Sequence, residues 1–275
     1  IERLHKFPSK YITPRHVDIW MPENYDPNKR YAVLYANDGQ MLFNAEKTWN
    51  GQEFGLDEHM TTLVKQHKIK ETIVVGIWNM YSERNANYFP QKVFDALNAN
   101  SKKELQAMAA EKKQVTFINS DAYLKFIVEE LKPYIDQHYS TKTTPKDTAI
   151  MGASRGGLIS LYALCEYPDI FGAAACLSTH WIGTYSNAEA NEIPYALVDY
   201  MMEHLPSPKT HKIYFDYGTE KLDAKYLPYQ DLVTTALEYK SFDESSMKNL
   251  KFKGHEHSEK FWNKRLKTPL KFILN

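Results

Sequence analysis

The chain has 275 residues, long enough for one α/β domain with a sizeable core, and its 43% apolar and 25% charged residues are an ordinary globular balance. Lys plus Arg and Asp plus Glu both number 34, so the zero formal charge excludes a strongly basic nucleic-acid binder, and two cysteines exclude a disulfide scaffold. No run approaches the roughly 20 apolar residues of a membrane span, and 19 Tyr, 13 Phe and 5 Trp promise a large core or a cleft lined with rings.

The first residue is Ile1 and not Met. A cleaved export signal, implying a periplasmic or secreted protein, gives such a start; so does trimming of a cytoplasmic chain, and no signal peptide is visible. Arg15 to Pro22 alternates with period two, with Val17, Ile19 and Met21 on one face, which predicts a half-buried antiparallel strand. Asp26-Pro27-Asn28 marks a turn. Tyr31 to Ala36, Thr72 to Trp78, Asp147 to Gly152 and Ile213 to Gly218 are short apolar runs without alternation, and Ala173 to Leu177 is a weaker one. Such runs suit parallel strands buried on both faces.

Helical patterns lie between them. One opens at Ser120-Asp121, with Ser120 as its expected N-cap and Pro133 as an expected kink. Others cover Ser154 to about Tyr167 and Tyr226 to Tyr239. The alternation predicts a single α/β domain over residues 1–275 with a mainly parallel sheet. Residues 85–114 fit poorly: the segment is polar, with a short helix expected from Lys103 to Lys112, and reads as a lid-like insertion. Cys165 and Cys176 both end apolar stretches and read as small buried hydrophobes.

Gly152-Ala153-Ser154-Arg155-Gly156 matches G-x-S-x-G, and it joins the end of a predicted strand to the start of a predicted helix. That context is the one a nucleophile elbow needs. Ser154 is then the candidate nucleophile, and the Arg155 N–H, at a helix N-terminus, a candidate oxyanion donor. The candidate base lies in Gly254-His255-Glu256-His257, where His255 and His257 are both eligible; His180, His204 and His211 are weaker candidates. No further ligand cluster accompanies His255 and His257, so no metal site is expected. The orienting acid should follow the strand ending at Gly218, where Glu220 and Asp223 qualify equally; Asp216 is expected inside the strand.

With these residues in place, the chain resembles the Putative esterase family of α/β-hydrolases, which includes esterase D, enterochelin esterases, and feruloyl and acetyl-xylan esterases. The resemblance runs from about Arg15 to Leu266. Val33 to Phe43 is similar to the family's strand and His-Asp-Gly-Gln-Asn-Leu-Phe loop, with Asn37 in place of the His and Met41 in place of the Asn. Ile73 to Ile77 with Arg84 and Tyr88-Phe89-Pro90 resembles the next strand and its substrate-side loop, and Met151 to Gly157 the elbow. His257-Ser258-Glu259 with Trp262 and Leu266 resembles the family's terminal segment, which favours His257 over His255.

The resemblance implies an α/β-hydrolase fold with helices on both faces of the sheet, and a second oxyanion N–H at Gln40 or Met41. It implies a carboxylic ester as substrate, on a small molecule or an oligosaccharide, with acylated carbohydrates and siderophore esters as the main classes. No cofactor is required. Trp49, Tyr88 and Trp181 are the rings expected near the cleft. A catalytically silent carbohydrate-binding protein on the same fold, and an acyltransferase, are the alternatives.

Overall fold

The computed structural model describes residues 1–183 and 191–275. Its strands are β1 (Glu2–Phe7), β2 (Arg15–Trp20), β3 (Ala32–Asn37), β4 (Thr72–Ile77), β5 (Thr148–Ala153), β6 (Ala173–Leu177), β7 (Lys212–Gly218) and β8 (Met247–Phe252). They form one eight-stranded sheet in the order β1-β2-β4-β3-β5-β6-β7-β8. β1 and β2 run antiparallel to their neighbours, and every other pair is parallel.

The continuous apolar runs have a simple cause. Every residue of β3, β4, β5 and β6 is buried. Successive side chains go to opposite faces, and each face has its own core. Val33 and Tyr35 join one apolar cluster with Val75, Ile150 and Phe215, while Leu34 and Ala36 join the other with Val74, Met151 and Tyr214. Cys165 and Cys176 are buried in the first cluster.

The edges differ. β1 is largely exposed, and β8 alternates exposed lysines with half-buried residues. Both lack the apolar signature of the interior strands.

One helical expectation changes. Ser120 is not an N-cap: Asn119 holds that position, and the Ser120 hydroxyl accepts the Gln91 N–H at 2.8 Å. Around Pro133 the helical path from Ser120 to His138 is irregular: it widens into a π segment at Phe126–Leu131, just before Pro133 enters the first turn of Lys132–His138. A π turn and a proline are both sites where helices bend. Residues 85–114 hold helices Gln91–Ala96 and Ala99–Glu111 after a short buried helix Arg84–Tyr88, so most of the segment is helical.

β3 and β5 are neighbours, and the chain leaves β3 toward β4 but β5 toward β6, in opposite directions. In open α/β sheets such a switch point opens a crevice at the strands' carboxyl ends. Register aligns Ala36 with Met151, Ala153 with Leu177, Leu177 with Asp216, and Gly218 with Phe252. The residues just beyond these ends therefore share one rim: Asp38 to Met41, Ser154, Ser178, Glu220 to Asp223, and His255 to His257.

Candidate active site

Ser154 links β5 to the helix Arg155–Glu166 and adopts φ 58°, ψ −122°. A serine with positive φ is strained, by roughly 1–3 kcal/mol, and persists only where its surroundings hold it. Here they do. The Ser154 N–H donates to the Leu177 carbonyl at 2.8 Å, and its own carbonyl accepts from Gly157 at 3.0 Å and His180 at 3.3 Å. A Cβ on Gly152 would lie 2.4 Å from the Gly156 carbonyl oxygen, so only glycine allows a turn this tight. The Ser154 side chain is half-buried and makes no hydrogen bond among the described residues.

The loop after β3 forms one wall. Asp38 is left-handed at φ 60°, and Gly39 packs so closely on β4 that a Cβ there would lie 2.6 Å from the Gly76 carbonyl. Asp38 is clamped by Arg84, with Nε and Nη2 donating at 2.8 and 2.7 Å, and by Asn79 Nδ2 at 2.6 Å. The Met41 N–H donates to the Asp38 carbonyl at 2.8 Å. That bond engages the Met41 N–H, and Met41 is buried. Gln40 is half-buried, and its side-chain oxygen accepts the Asn79 N–H at 3.1 Å. Asn37, standing where the family has His, is an internal strut: it donates to the Met151 carbonyl and Ser160 Oγ and accepts from Tyr123.

The opposite wall carries an imidazole and a carboxylate. His257 Nδ1 lies 2.6 Å from Asp223 Oδ1. Asp223 is fully buried, whereas the His257 side chain keeps 14% of its exposure, so the ring is reachable and the acid is not. Burial works to raise the Asp223 carboxyl, but hydrogen bonds from His257, Ser178 and the Gly218 N–H outweigh it and hold it below its ordinary value. Glu220 does not join this group: its carboxylate is exposed and, among the described residues, takes only the neighbouring Thr219 hydroxyl at 3.2 Å. His255 is turned to structure. Its carbonyl accepts the Thr219 and Glu220 N–H groups, and its ring packs on Phe252 and Phe261. Asp216 lies buried within β7, as expected, and pairs with Arg265 at 2.8 Å.

His180 is also close. It is fully buried, hydrogen-bonded to Tyr226 Oη at 2.8 Å, and burial, with Arg155 and His257 nearby, holds its ring well below the ordinary histidine value. It is therefore neutral at pH 7. No hydrogen bond joins Ser154 Oγ to His257 in this structure. No group of His, Cys, Asp and Glu suited to a metal ion occurs among the described residues.

Two of the expected cleft rings need correction. Trp181 is fully buried against Phe215, with ring centroids 5.6 Å apart. Tyr88 is fully buried too, and its hydroxyl accepts the Asp38 N–H at 3.2 Å. Both rings are packed inside the protein and do not face solvent. Trp49 is 85% exposed. Its loop is tied to the segment after His257 through Asn50 to Glu259 at 3.0 Å and through the Lys260 N–H to Gln52 at 3.1 Å.

Ser178 and Arg265 were not singled out in the sequence. Ser178 follows β6 as Ser154 follows β5, and Arg265 lies three residues after Trp262 on one helix face. Those positions are the signals that could have found them.

The profile of the Putative esterase family matches residues 10–273. The chain belongs to that family, and with it to the carboxylic ester hydrolases. It is 23% identical to the uncharacterised protein YbbA of Bacillus subtilis over 94% of this chain and 92% of that one. It spans about half the length (51%) of a second relative, YjcH of the same organism, at 25% identity over 56% of this chain. Solved structures agree on the α/β-hydrolase fold. A CE1 ferulic acid esterase from Anaeromyces mucronatus matches with a TM-score of 0.65 at 20% identity, over 100% of this chain and 91% of that one. The enterobactin esterase of Shigella flexneri matches at 0.64 and 17% identity, over 99% and 58%.

Proposed function

We propose that the protein is a serine esterase in which Ser154 is the nucleophile, His257 the general base and Asp223 its orienting acid. The observation that carries this reading is the 2.6 Å bond from His257 Nδ1 to buried Asp223, on the same rim as a serine held at positive φ at a helix N-terminus. A serine hydroxyl attacks an ester only when a base takes its proton. With Nδ1 bonded to Asp223, the proton-accepting nitrogen of His257 is Nε2. Attack requires Nε2 and Ser154 Oγ to close to about 2.6–3.2 Å when substrate binds.

The reaction then follows from the groups present. Ser154 Oγ bonds to the acyl carbon, and its proton passes to His257. The Arg155 and Gln40 N–H groups receive the negative charge on the carbonyl oxygen. The tetrahedral intermediate collapses, and His257 returns the proton to the leaving alcohol. Water, activated by the same ring, attacks the acyl-enzyme and releases the acid.

The substrate is a small-molecule carboxylic ester, with acylated saccharides and siderophore-type esters as the two classes to test. Family membership supports the ester, and exposed Trp49, in a loop tied to the segment after His257, offers a face for a sugar or phenol ring. A fluorophosphonate probe is expected to label wild-type protein and not Ser154→Ala, with turnover of p-nitrophenyl acetate lost in step. No labelling of folded wild type and no turnover would sink the reading. On the preferred natural ester, Trp49→Ala is expected to raise KM about 3- to 10-fold with kcat nearly unchanged, as loss of a stacking contact would.

A further inference from the structure

Ser178 is fully buried, with φ 39°, directly after β6. Its hydroxyl meets three groups. Trp262 Nε1 donates to it at 2.9 Å and Arg265 Nη2 at 2.7 Å, and Asp223 Oδ2 lies 2.6 Å away. Indole and guanidinium N–H groups only donate. They fill the acceptor sites of the hydroxyl, so its single hydrogen must point at Asp223. Arg265 is fixed in turn. The same Nη2 donates to Asp216 Oδ1 at 2.8 Å, and Asp216 Oδ2 accepts from Tyr214 Oη at 3.0 Å. Every member of this network is buried.

We propose that Ser178 is a positioning residue, with its hydroxyl aimed by Trp262 and Arg265 so that Asp223 presents Oδ1 alone to His257. The inference rests on the esterase reading above. Asp223 Oδ2 receives both the Ser178 hydroxyl and the Gly218 N–H, the latter at 2.7 Å. The carboxylate cannot turn its other oxygen to the ring without breaking both bonds. Arg265 Nη2 also forms a longer ion pair with Asp223 Oδ2 at 3.8 Å while sending its hydrogens to Ser178 and Asp216. Asp223 Oδ1 is the oxygen left for His257.

The charged and titratable groups facing Asp223 are His257, His255 and Arg265 from the segment after β8, and Asp216 from β7. Replacing Ser178 by Ala removes the positive end of a dipole from the His257–Asp223 pair. The pair then binds a proton more tightly, so the acid limb of the kcat/KM profile moves to higher pH.

The test measures kcat, KM, pH profile and melting temperature on p-nitrophenyl acetate for wild type, Ser154→Ala, Ser178→Ala and Trp262→Phe. Ser178→Ala is expected to lower kcat about 10- to 100-fold, with KM within about two-fold and the acid limb moved upward. Trp262→Phe, which frees one acceptor site of the hydroxyl, should move both in the same direction by less. A folded Ser178→Ala with unchanged kcat, or with lower kcat and an unmoved profile, overturns the inference. Should Ser178→Ala fail to fold, an unmoved profile in Trp262→Phe overturns it instead. Wild type no better than Ser154→Ala would overturn the esterase reading itself, a result distinct from an active wild type matched by Ser178→Ala.

Discussion

Two carboxylates, Asp38 and Asp223, stand on opposite walls of the same rim, and they are held in opposite ways. Asp38 spends both oxygens on the fork of Arg84, with Asn79 added, and its backbone is left-handed. It is an anchor that fixes the loop carrying Gln40. Asp223 has one oxygen saturated by the neutral donors Ser178 and Gly218 and one left to an imidazole. What separates the anchor from the proposed catalytic acid here is the donor set. The guanidinium fork takes both oxygens of Asp38, whereas the hydrogen bonds of Ser178 and Gly218 hold one oxygen of Asp223 and leave the other for the ring.

The strongest way to break this contrast is Asp223→Asn. An amide can no longer act as an anion toward His257, and kcat is expected to fall about 1,000- to 10,000-fold in a burst-resolved ester assay. A loss under tenfold would mean that Asp38 and Asp223 do not differ in kind. Asp38→Asn should act differently. Asn tolerates the left-handed backbone, but Arg84 loses its bidentate partner, at a cost of about 1–3 kcal/mol in denaturant-measured stability. Its kcat is expected to drop only about tenfold, through a loosened Gln40 loop.

The pH dependence sharpens the comparison. Asp223 titrates below its ordinary value, so its contribution to stability is complete above about pH 4, the ordinary carboxylate range, and disappears as pH falls through its lowered folded-state value. The melting-temperature gap between wild type and Asp223→Asn should accordingly narrow on acidification. A gap that stays constant to low pH would contradict this linkage. The smallest effect belongs to Glu220→Gln, expected to leave kcat and KM within about two-fold, because an exposed carboxylate bonded, among the described residues, only to its neighbour has little to lose.

The parallel strands were legible because burial on both faces leaves an unbroken apolar run, as in β3 and β4. The edge strands β1 and β8 were not, since each is paired on one side only and keeps polar residues such as Lys248 and Lys251 in solvent. Ser154 was legible from local pattern because its elbow is built within five residues. The choice between Glu220 and Asp223 was not, because it turns on a single feature of chain direction. A short 3-10 turn at Asp223–Lys225 brings the Asp223 carboxylate back under the Gly218 N–H, while Glu220 stays outside. The burial of Tyr88 and Trp181 was hidden for a related reason: a ring in the segment after a strand reads the same whether protein or solvent covers it.

The two cysteines give the fold an internal reporter. Burial raises both thiols, so neither forms thiolate readily while the chain is folded. Cys176 lies in β6, paired with Gly152 of the strand that leads into Ser154, and Cys165 lies in the helix that follows the serine. Alkylation by iodoacetamide would therefore time the opening of the elbow's own scaffold, with no engineered label and no dependence on whether the protein is turning over substrate.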